Sequence, residues 1–347
     1  MTVNKDKAAE WYKENKYIYE LLTKKVESLI REILELNKID YQVIQSRCKS
    51  QSSFENKVDK EGFNYDYRDM QDLAGIRIIG YVKNDVLKIS EIIKKEFIID
   101  EKRSIDKSKI LGRDKVGYSS LHFVSKFSEE RIKLPEYSLF KDIYFEIQIR
   151  TILQHAWAEI EHDRNYKFSG MLPEPIQRNF YLISGLLEIA DNEFNQISNQ
   201  IDVYSKDVSN KTKQGNLNIP INSTALTQYF KDTSGQNINI NFKNGVMSEI
   251  IEELNDMDIL ILNDLDKIFS KRIKNKINEI NYPINLNTII RHVLLADNSS
   301  KYFEKAWKKH WTKIRNNEVI FLKDIGVNIE DLSKKYGFTI YFDKKND

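Results

Sequence analysis

Between Tyr144 and Asp163 the chain reads YFEIQIRTILQHAWAEIEHD, and its hydrophobic period changes part-way through. Phe145, Ile147 and Ile149 alternate with Glu146, Gln148 and Arg150, which predicts a strand with one apolar face and one acidic, amide and basic face. From Thr151 onward Leu153, Trp157 and Ile160 recur at helical spacing. Residues 7–37 carry Tyr19, Leu22, Val26, Leu29, Ile33 and Leu36 at the same helical spacing among charges, so a long amphipathic helix is expected there. Strands are expected over 41–50, 75–82 and 118–127, and helices over 54–60 and 84–97. A helical turn is expected over 69–73, and a polar loop over 100–116. Alternation of strands and helices predicts α/β architecture around a mixed sheet.

The second half reads differently. After a helical stretch over 177–204, the run SKDVSNKTKQGNLNIPI is polar, contains Gly and Pro, has no periodicity, and predicts a linker over 205–222. Residues 223–347 are Asn- and Lys-rich and mainly helical in pattern, with a short strand over 338–342. The expected division is therefore a domain over 1–204 with its motifs in 41–167, the linker, and a C-terminal accessory domain. No internal repeat is present.

Composition narrows the possibilities. The 347 residues, 41% of them hydrophobic, suffice for two modest cores. With 54 basic and 52 acidic residues the net charge is only +2, so any basic site is local and no global field marks the chain for nucleic acid. The single Cys48 excludes an internal disulfide framework and fits a reducing compartment. The start, MTVNKDKAAEWYKENK, has no apolar signal core, and no apolar run is long enough for a bilayer. A soluble cytoplasmic protein is expected.

Several clusters carry candidate chemistry. On a strand Arg47 and Lys49 share a face while Cys48 points away, and Lys57 follows one helical segment later. Cations interleaved with hydroxyls such as that of Ser53 suit a polyphosphate, although a solvated strand edge is the commoner explanation of such a run. Asp72 precedes a strongly apolar strand that Arg77 interrupts; a helix cap and a surface charge explain the pair as well as a site does. If the strand of Glu146 lies beside that strand, Asp72 and Glu146 together suit Mg²⁺, a hard cation satisfied by one or two carboxylates plus substrate phosphates. Glu146 instead, or also, suits accepting a proton from an attacking hydroxyl. Gly117 permits a turn, Tyr118 offers a ring for a base, and His122 shares its face if the segment is a strand; a buried Tyr and a core His are the alternative. His155, Glu159 and His162 fall on one helical face, but the spacing is not His-Glu-x-x-His and zinc is not expected.

In order and spacing, RCKSQSSFENK, DLAGIRI, GYSSLH, FEIQIRT and HAWAEIEHDRNYK resemble the RelA/SpoT-type alarmone synthetase domain. The resemblance implies a nucleotidyltransferase-like mixed sheet flanked by helices. It also implies Mg²⁺-dependent transfer of pyrophosphate from ATP to the 3′-hydroxyl of GDP or GTP, giving (p)ppGpp. By resemblance Arg47, Lys49, Ser53, Lys57 and Arg77 contact ATP, Asp72 binds Mg²⁺, and Glu146 is the second acid, as base or metal ligand. Tyr118 stacks on the acceptor guanine and His122 touches the acceptor's phosphates, with Lys115, Gln148 and Arg150 on the same side. The long enzymes' Lys-Pro-Asn-Gly-Tyr is here Asp-Lys-Val-Gly-Tyr, which places Lys115 one residue closer to Tyr118 and loosens the inference about the acceptor. The segment ahead of Arg47 is too short for the family's hydrolase domain, so synthesis without degradation is expected.

Two rival readings stand beside this one. Some toxins of the family place pyrophosphate on the 3′ end of tRNA. Residues 301–315, with six Lys/Arg, one Glu, Trp307 and Trp311, offer a basic aromatic surface for such a partner; an amphipathic helix with both indoles in the core is the favoured alternative. The C-terminal domain can also be a regulator, binding a partner or occluding the site as a fused antitoxin. A homo-oligomer is compatible with the sequence.

Overall fold

The strands expected in the first half of the chain assemble in one sheet. In the computed structural model, which describes residues 5–61, 66–106, 120–167, 173–233, 240–242, 246–280 and 284–341, β1 (Val43–Cys48), β2 (Ala74–Gly80), β3 (Ile98–Ile99), β4 (Ile105–Asp106), β5 (Leu121–Lys126) and β6 (Phe145–Thr151) form a six-stranded sheet. Its order is β1-β2-β6-β5-β3, with β4 also on β5. β2 and β6 are parallel and the remaining pairs antiparallel, so the sheet is mixed, as the alternation predicts.

Register sorts the side chains into two faces. Ile44, Ile78, Ile149 and Leu121 align across four strands, and Ile76, Ile147 and Phe123 form the next row on that face. Helices α1 (Lys5–Leu36) and α3 (Lys83–Glu96) supply the rest of this core through Leu22, Val26, Ile30 and Leu34 and through Val86, Ile89 and Ile93. The buried stripe of α1 therefore runs through Ile30 and Leu34, and Leu36, expected on it, is 82% exposed. On the opposite face Gln45, Arg77, Gln148 and His122 align in one row, and Arg47, Gly75 and Glu146 in the next. This polar face carries the candidate chemistry.

Local chemistry sets the element ends. Helix α2 (Gln51–Glu61) starts ahead of its expected position because the Ser50 hydroxyl accepts from the Ser53 backbone N–H. The single-turn α4 (Glu129–Ile132) follows β5, capped by the Ser128 hydroxyl. At the change of period, Thr151 ends β6 and caps α5 (Ile152–Lys167). Its hydroxyl accepts from the Gln154 N–H at 3.2 Å, while the Gln154 side chain accepts from the Thr151 N–H at 2.8 Å. This reciprocal box fixes the strand-to-helix turn. The Thr151 hydroxyl also donates to Asp191 on α6 (Glu174–Lys213) at 2.8 Å.

The chain divides into two units, Met1–Ser198 and Asn199–Asp347. Residues 205–213, expected in a linker, are instead the last turns of α6. The segment lacks periodicity because its apolar residues are sparse, yet Val208 and Ile219 are buried in the second unit's core. That core is helical: after the end of α6 come α7 (Ser223–Thr233), α8 (Met247–Asp256), α9 (Leu262–Ile268), α10 (Lys271–Asn278), α11 (Leu286–Lys301), α12 (Asn316–Asp324) and α13 (Ile329–Tyr336). Two parallel strand pairs accompany them, β7 (Ile240–Asn241) with β8 (Ile284–Asn285) and β9 (Lys313–Arg315) with β10 (Thr339–Tyr341). The last matches the strand expected over 338–342.

The basic segment 301–315 is not one helix. α11 passes into a π-helical turn at Tyr302–Ala306, and Lys308 and Lys309 then take positive φ of 41° and 58°, a conformation that ends helices. Both indoles belong to the core: Trp307 is buried and Trp311 packs partly buried against Phe303 and Phe338. Among the described residues no helix is long and apolar enough to cross a membrane.

Candidate active site

The polar face of the sheet forms the wall of a cleft of about 410 Å³, lined by Gln45, Arg47, Asp72, Gly75, Arg77, Glu146 and Gln148 among others. Gly75 stands between Arg47 and Glu146 in register, so the middle of that row carries no side chain and the cleft stays open. Because β2 and β6 are adjacent and parallel, Asp72, just ahead of β2, and Glu146, opposite Gly75, face the same cleft.

Asp72 holds two of the cations. Lys49 Nζ lies 2.7 Å from one carboxylate oxygen and Lys57 Nζ 3.1 Å from the other. Burial pushes the Asp72 carboxyl up, but the hydrogen bond and charge of Lys49, joined by Lys57, outweigh it and hold the group below the usual carboxylate range. Arg47 is exposed and lines the cleft, and Cys48 turns away from it to meet the Tyr12 hydroxyl, as strand alternation predicts. Arg77 reaches Glu159 on α5 at 2.6 Å. Glu159 is 54% exposed, so the pair is weak.

Glu146 anchors a second chain of contacts. His122 Nδ1 lies 2.6 Å from Glu146 Oε1, and the ionised carboxylate makes that nitrogen the donor. His122 Nε2 lies 2.7 Å from the Ser120 hydroxyl, which can donate to it or accept from it. Gln148 Nε2 donates to Glu146 Oε2 at 3.1 Å, and its Oε1 accepts from Arg150 Nη2 at 2.6 Å. Burial pushes the Glu146 carboxyl up, yet the His122 hydrogen bond, with Gln148, carries it below the usual range despite the like charge of Asp72. Burial and the neighbouring Arg77 pull the Arg150 guanidinium down to about 10, and its Nε is buried without a partner.

The structure thus brings Arg47, Lys49, Lys57, Asp72, Arg77, His122, Glu146, Gln148 and Arg150 together on one face. Ser53 is exposed on the first turn of α2, bonded to Ser50, and is not among the residues lining the cleft. Lys115 and Tyr118 lie outside the described residues. His155 and Glu159 do sit together, 3.7 Å apart, but Glu159 is turned to Arg77. Sequence reasoning missed Gln45, Ser120 and Glu159, whose places depend on strand register and on partners as distant as the 82 positions between Arg77 and Glu159.

Acid stability follows from the two depressed carboxyls. Both bind a proton less readily in the fold than in the unfolded chain, so their stabilisation is full above the ordinary carboxylate range near about 4 and is lost as pH falls through their lowered values. Between about pH 5 and about pH 3, urea unfolding followed by circular dichroism should lose stability more steeply in the parent than in an Asp72→Asn/Glu146→Gln double variant. Equal slopes would contradict these ionisations.

Residues 46–171 match the family model described as "Region found in RelA / SpoT proteins". These residues are a RelA/SpoT region. The chain is 28% identical over 173 residues to the GTP pyrophosphokinase YjbM of Bacillus subtilis, an alignment covering 49% of this chain and 78% of that protein. It is 26% identical over 163 residues to the GTP pyrophosphokinase YwaC of the same organism, covering 46% and 74%. Among solved structures, small alarmone synthetase 1 from Bacillus subtilis bound to its product pppGpp gives a TM-score of 0.47 at 26% identity, covering 55% of this chain and 98% of that one. The RelA/SpoT match contains Arg47, Asp72, Arg77 and Glu146, and ends ahead of the second unit.

Proposed function

We propose that the chain is an ATP-dependent pyrophosphokinase that transfers the β,γ-pyrophosphate of ATP to the 3′-hydroxyl of GDP or GTP, giving (p)ppGpp. The observation carrying this reading is one polar sheet face that sets two ionised carboxylates, Asp72 and Glu146, among Arg47, Lys49, Lys57 and Arg77. The names of the two curated relatives support the acceptor class.

The carboxylates fit Mg²⁺ in kind: hard oxygen donors, two rather than three, which leaves room for phosphate oxygens in the shell. Asp72 and Glu146 would hold it. When bound, the ion neutralises charge on the transferring group. The protein's own part is placement and charge. Arriving phosphates would take Lys49 and Lys57 from Asp72 and Arg77 from Glu159, exchanging one set of ion pairs for another. Glu146, ionised at neutral pH and fixed by His122 and Gln148, would hold the acceptor hydroxyl and receive its proton. Arg150 would present its unpartnered Nε toward acceptor phosphate, and Tyr118 its ring to the guanine.

Purified full-length protein with Mg²⁺ and β,γ-labelled ATP, offered GDP, GTP, GMP, ADP and deacylated tRNA in parallel, tests this. Label on a guanine nucleotide is expected. Label on tRNA alone would replace this reading with that of a translation toxin.

A further inference from the structure

The second unit contains a cavity of its own, independent of the reading given to the first. Its volume is about 280 Å³, at the small end of the roughly 300–1,000 Å³ typical of ligand pockets. It lies where two strands feed two helices, β8 into α11 and β9 into α12.

The lining has a consistent chemistry. Lys313 and Arg315 are two apart on β9, so they share a face while Ile314 between them is buried. Both are exposed, and neither has a carboxylate partner among the described residues. The parallel register sets Tyr341 opposite Arg315 and on that same face. Trp311 adds a second ring, held in place by its indole N–H donating to the Tyr302 hydroxyl at 2.8 Å. Glu318 is the one carboxylate of the lining. Arg291 also lines it, but its charge is answered by the fully buried Glu253 at 2.6 Å.

Two further observations point to a ligand. Both helices present their N-terminal ends: Asn285 caps α11 by accepting from the Thr288 N–H, and both residues line the cavity, whereas α12 follows Arg315, whose side chain makes no cap, and of its first turn the Glu318 N–H is taken by the Asn317 side chain. Unsatisfied N–H groups and the helix dipole both favour an anion. His292, 2% exposed and part of the lining, has a buried Nδ1 with no hydrogen-bond partner. Burial pushes this imidazole down to about 3, so it is neutral and has a free hydrogen-bonding capacity that folded proteins rarely leave unused.

We propose that this cavity is a second binding site, for a phosphate ester with a planar ring, of mononucleotide size. Lys313, Arg315 and the helix ends take the phosphate; Trp311 and Tyr341 take the ring. The small volume favours a monophosphate over a triphosphate, and His292 offers one polar contact to the ligand.

Titration calorimetry on the full chain, with AMP, GMP, adenosine and inorganic phosphate as probes, tests the proposal, and tryptophan fluorescence provides a second signal. Each probe is compared between the parent and Lys313→Glu/Arg315→Glu, whose exposed positions tolerate the change. The difference between the two proteins reports this cavity whether or not the first cleft also binds. At least one nucleotide should bind about tenfold or more weakly in the variant, and its fluorescence response should fall in Trp311→Phe. Identical isotherms in parent and variant for every probe would overturn the site. Inorganic phosphate bound as tightly as either nucleotide, and lost equally in the variant, would overturn the ring-bearing ligand.

Discussion

Asp72→Asn and Glu146→Gln are each expected to lower pyrophosphate transfer by at least about 10²–10³-fold, the range seen when one preorganised electrostatic group is removed from an active site. The reasons differ. An asparagine would keep the shape of Asp72 but remove the charge that faces Lys49 and Lys57, so the cation would lose one ligand and the lysines their counter-charge. Lys49 is only 9% exposed, so part of the effect is a poorly compensated ammonium. A glutamine in place of Glu146 would put an amide between two donors, His122 and Gln148. One of those contacts must break or turn over, and Gln148 can turn only by losing the Arg150 hydrogen bond at 2.6 Å. The Glu146 variant should therefore also raise the acceptor KM, whereas the Asp72 variant should act mainly on kcat. Circular dichroism must show both folded at neutral pH. Turnover within about tenfold of the parent in either variant would remove that residue from the machinery.

How far this site could be read in advance depended on the kind of information each residue carries. The strand–helix change at Thr151 was legible because alternation and helical spacing are local, whereas the Thr151–Gln154 box that fixes the turn was recognised only in the structure. Glu146, Gln148 and Arg150 on one strand face followed from the same alternation. That Asp72 and Glu146 face one cleft depended on β2 lying beside β6, a pairing no local pattern encodes and one the motif order supplied only by resemblance. Arg77 was visible as a charge among isoleucines, yet its partner Glu159 was not, because that contact needs both the sheet order and the direction of α5. Residues 205–213 were misjudged for the opposite reason: a helix needing only Val208 in a core can be polar everywhere else. Of the cavity of the second unit, only the basic aromatic segment that supplies Trp311, Lys313 and Arg315 was visible in the sequence, and the cavity itself was not. Its lining comes from strands of two or three residues, too short for periodicity to mark, and from one side of α11, which nothing local pairs with them.

Glu253→Ala should be the most destabilising single change in the second unit, costing about 3–5 kcal/mol, as expected when one partner of a buried ion pair is removed. Nothing in the sequence distinguishes this residue from its neighbours Glu249 and Glu252, yet it is fully buried while its hydrogen-bonding needs are met from three sides. Arg291 donates to both carboxylate oxygens, at 2.6 to 3.0 Å, the Tyr302 hydroxyl donates at 2.9 Å, and His310 Nδ1 lies 3.0 Å away. The arrangement ties α8 to α11 and to the π-helical turn that follows it. Truncation leaves an Arg291 side chain only 15% exposed, with Glu249 at 3.2 Å as its remaining carboxylate, and leaves a buried tyrosine hydroxyl without its acceptor. Removing both charges is a different matter, since a buried pair replaced by apolar groups of similar volume is often neutral. Glu253→Leu/Arg291→Met should accordingly unfold at a higher denaturant concentration than Glu253→Ala, with hydrogen exchange reporting the protection of Met247–Asp256 and Leu286–Lys301 separately from the sheet. A single variant no weaker than the double, or an unchanged unfolding midpoint, would show that this network contributes little to the unit's stability.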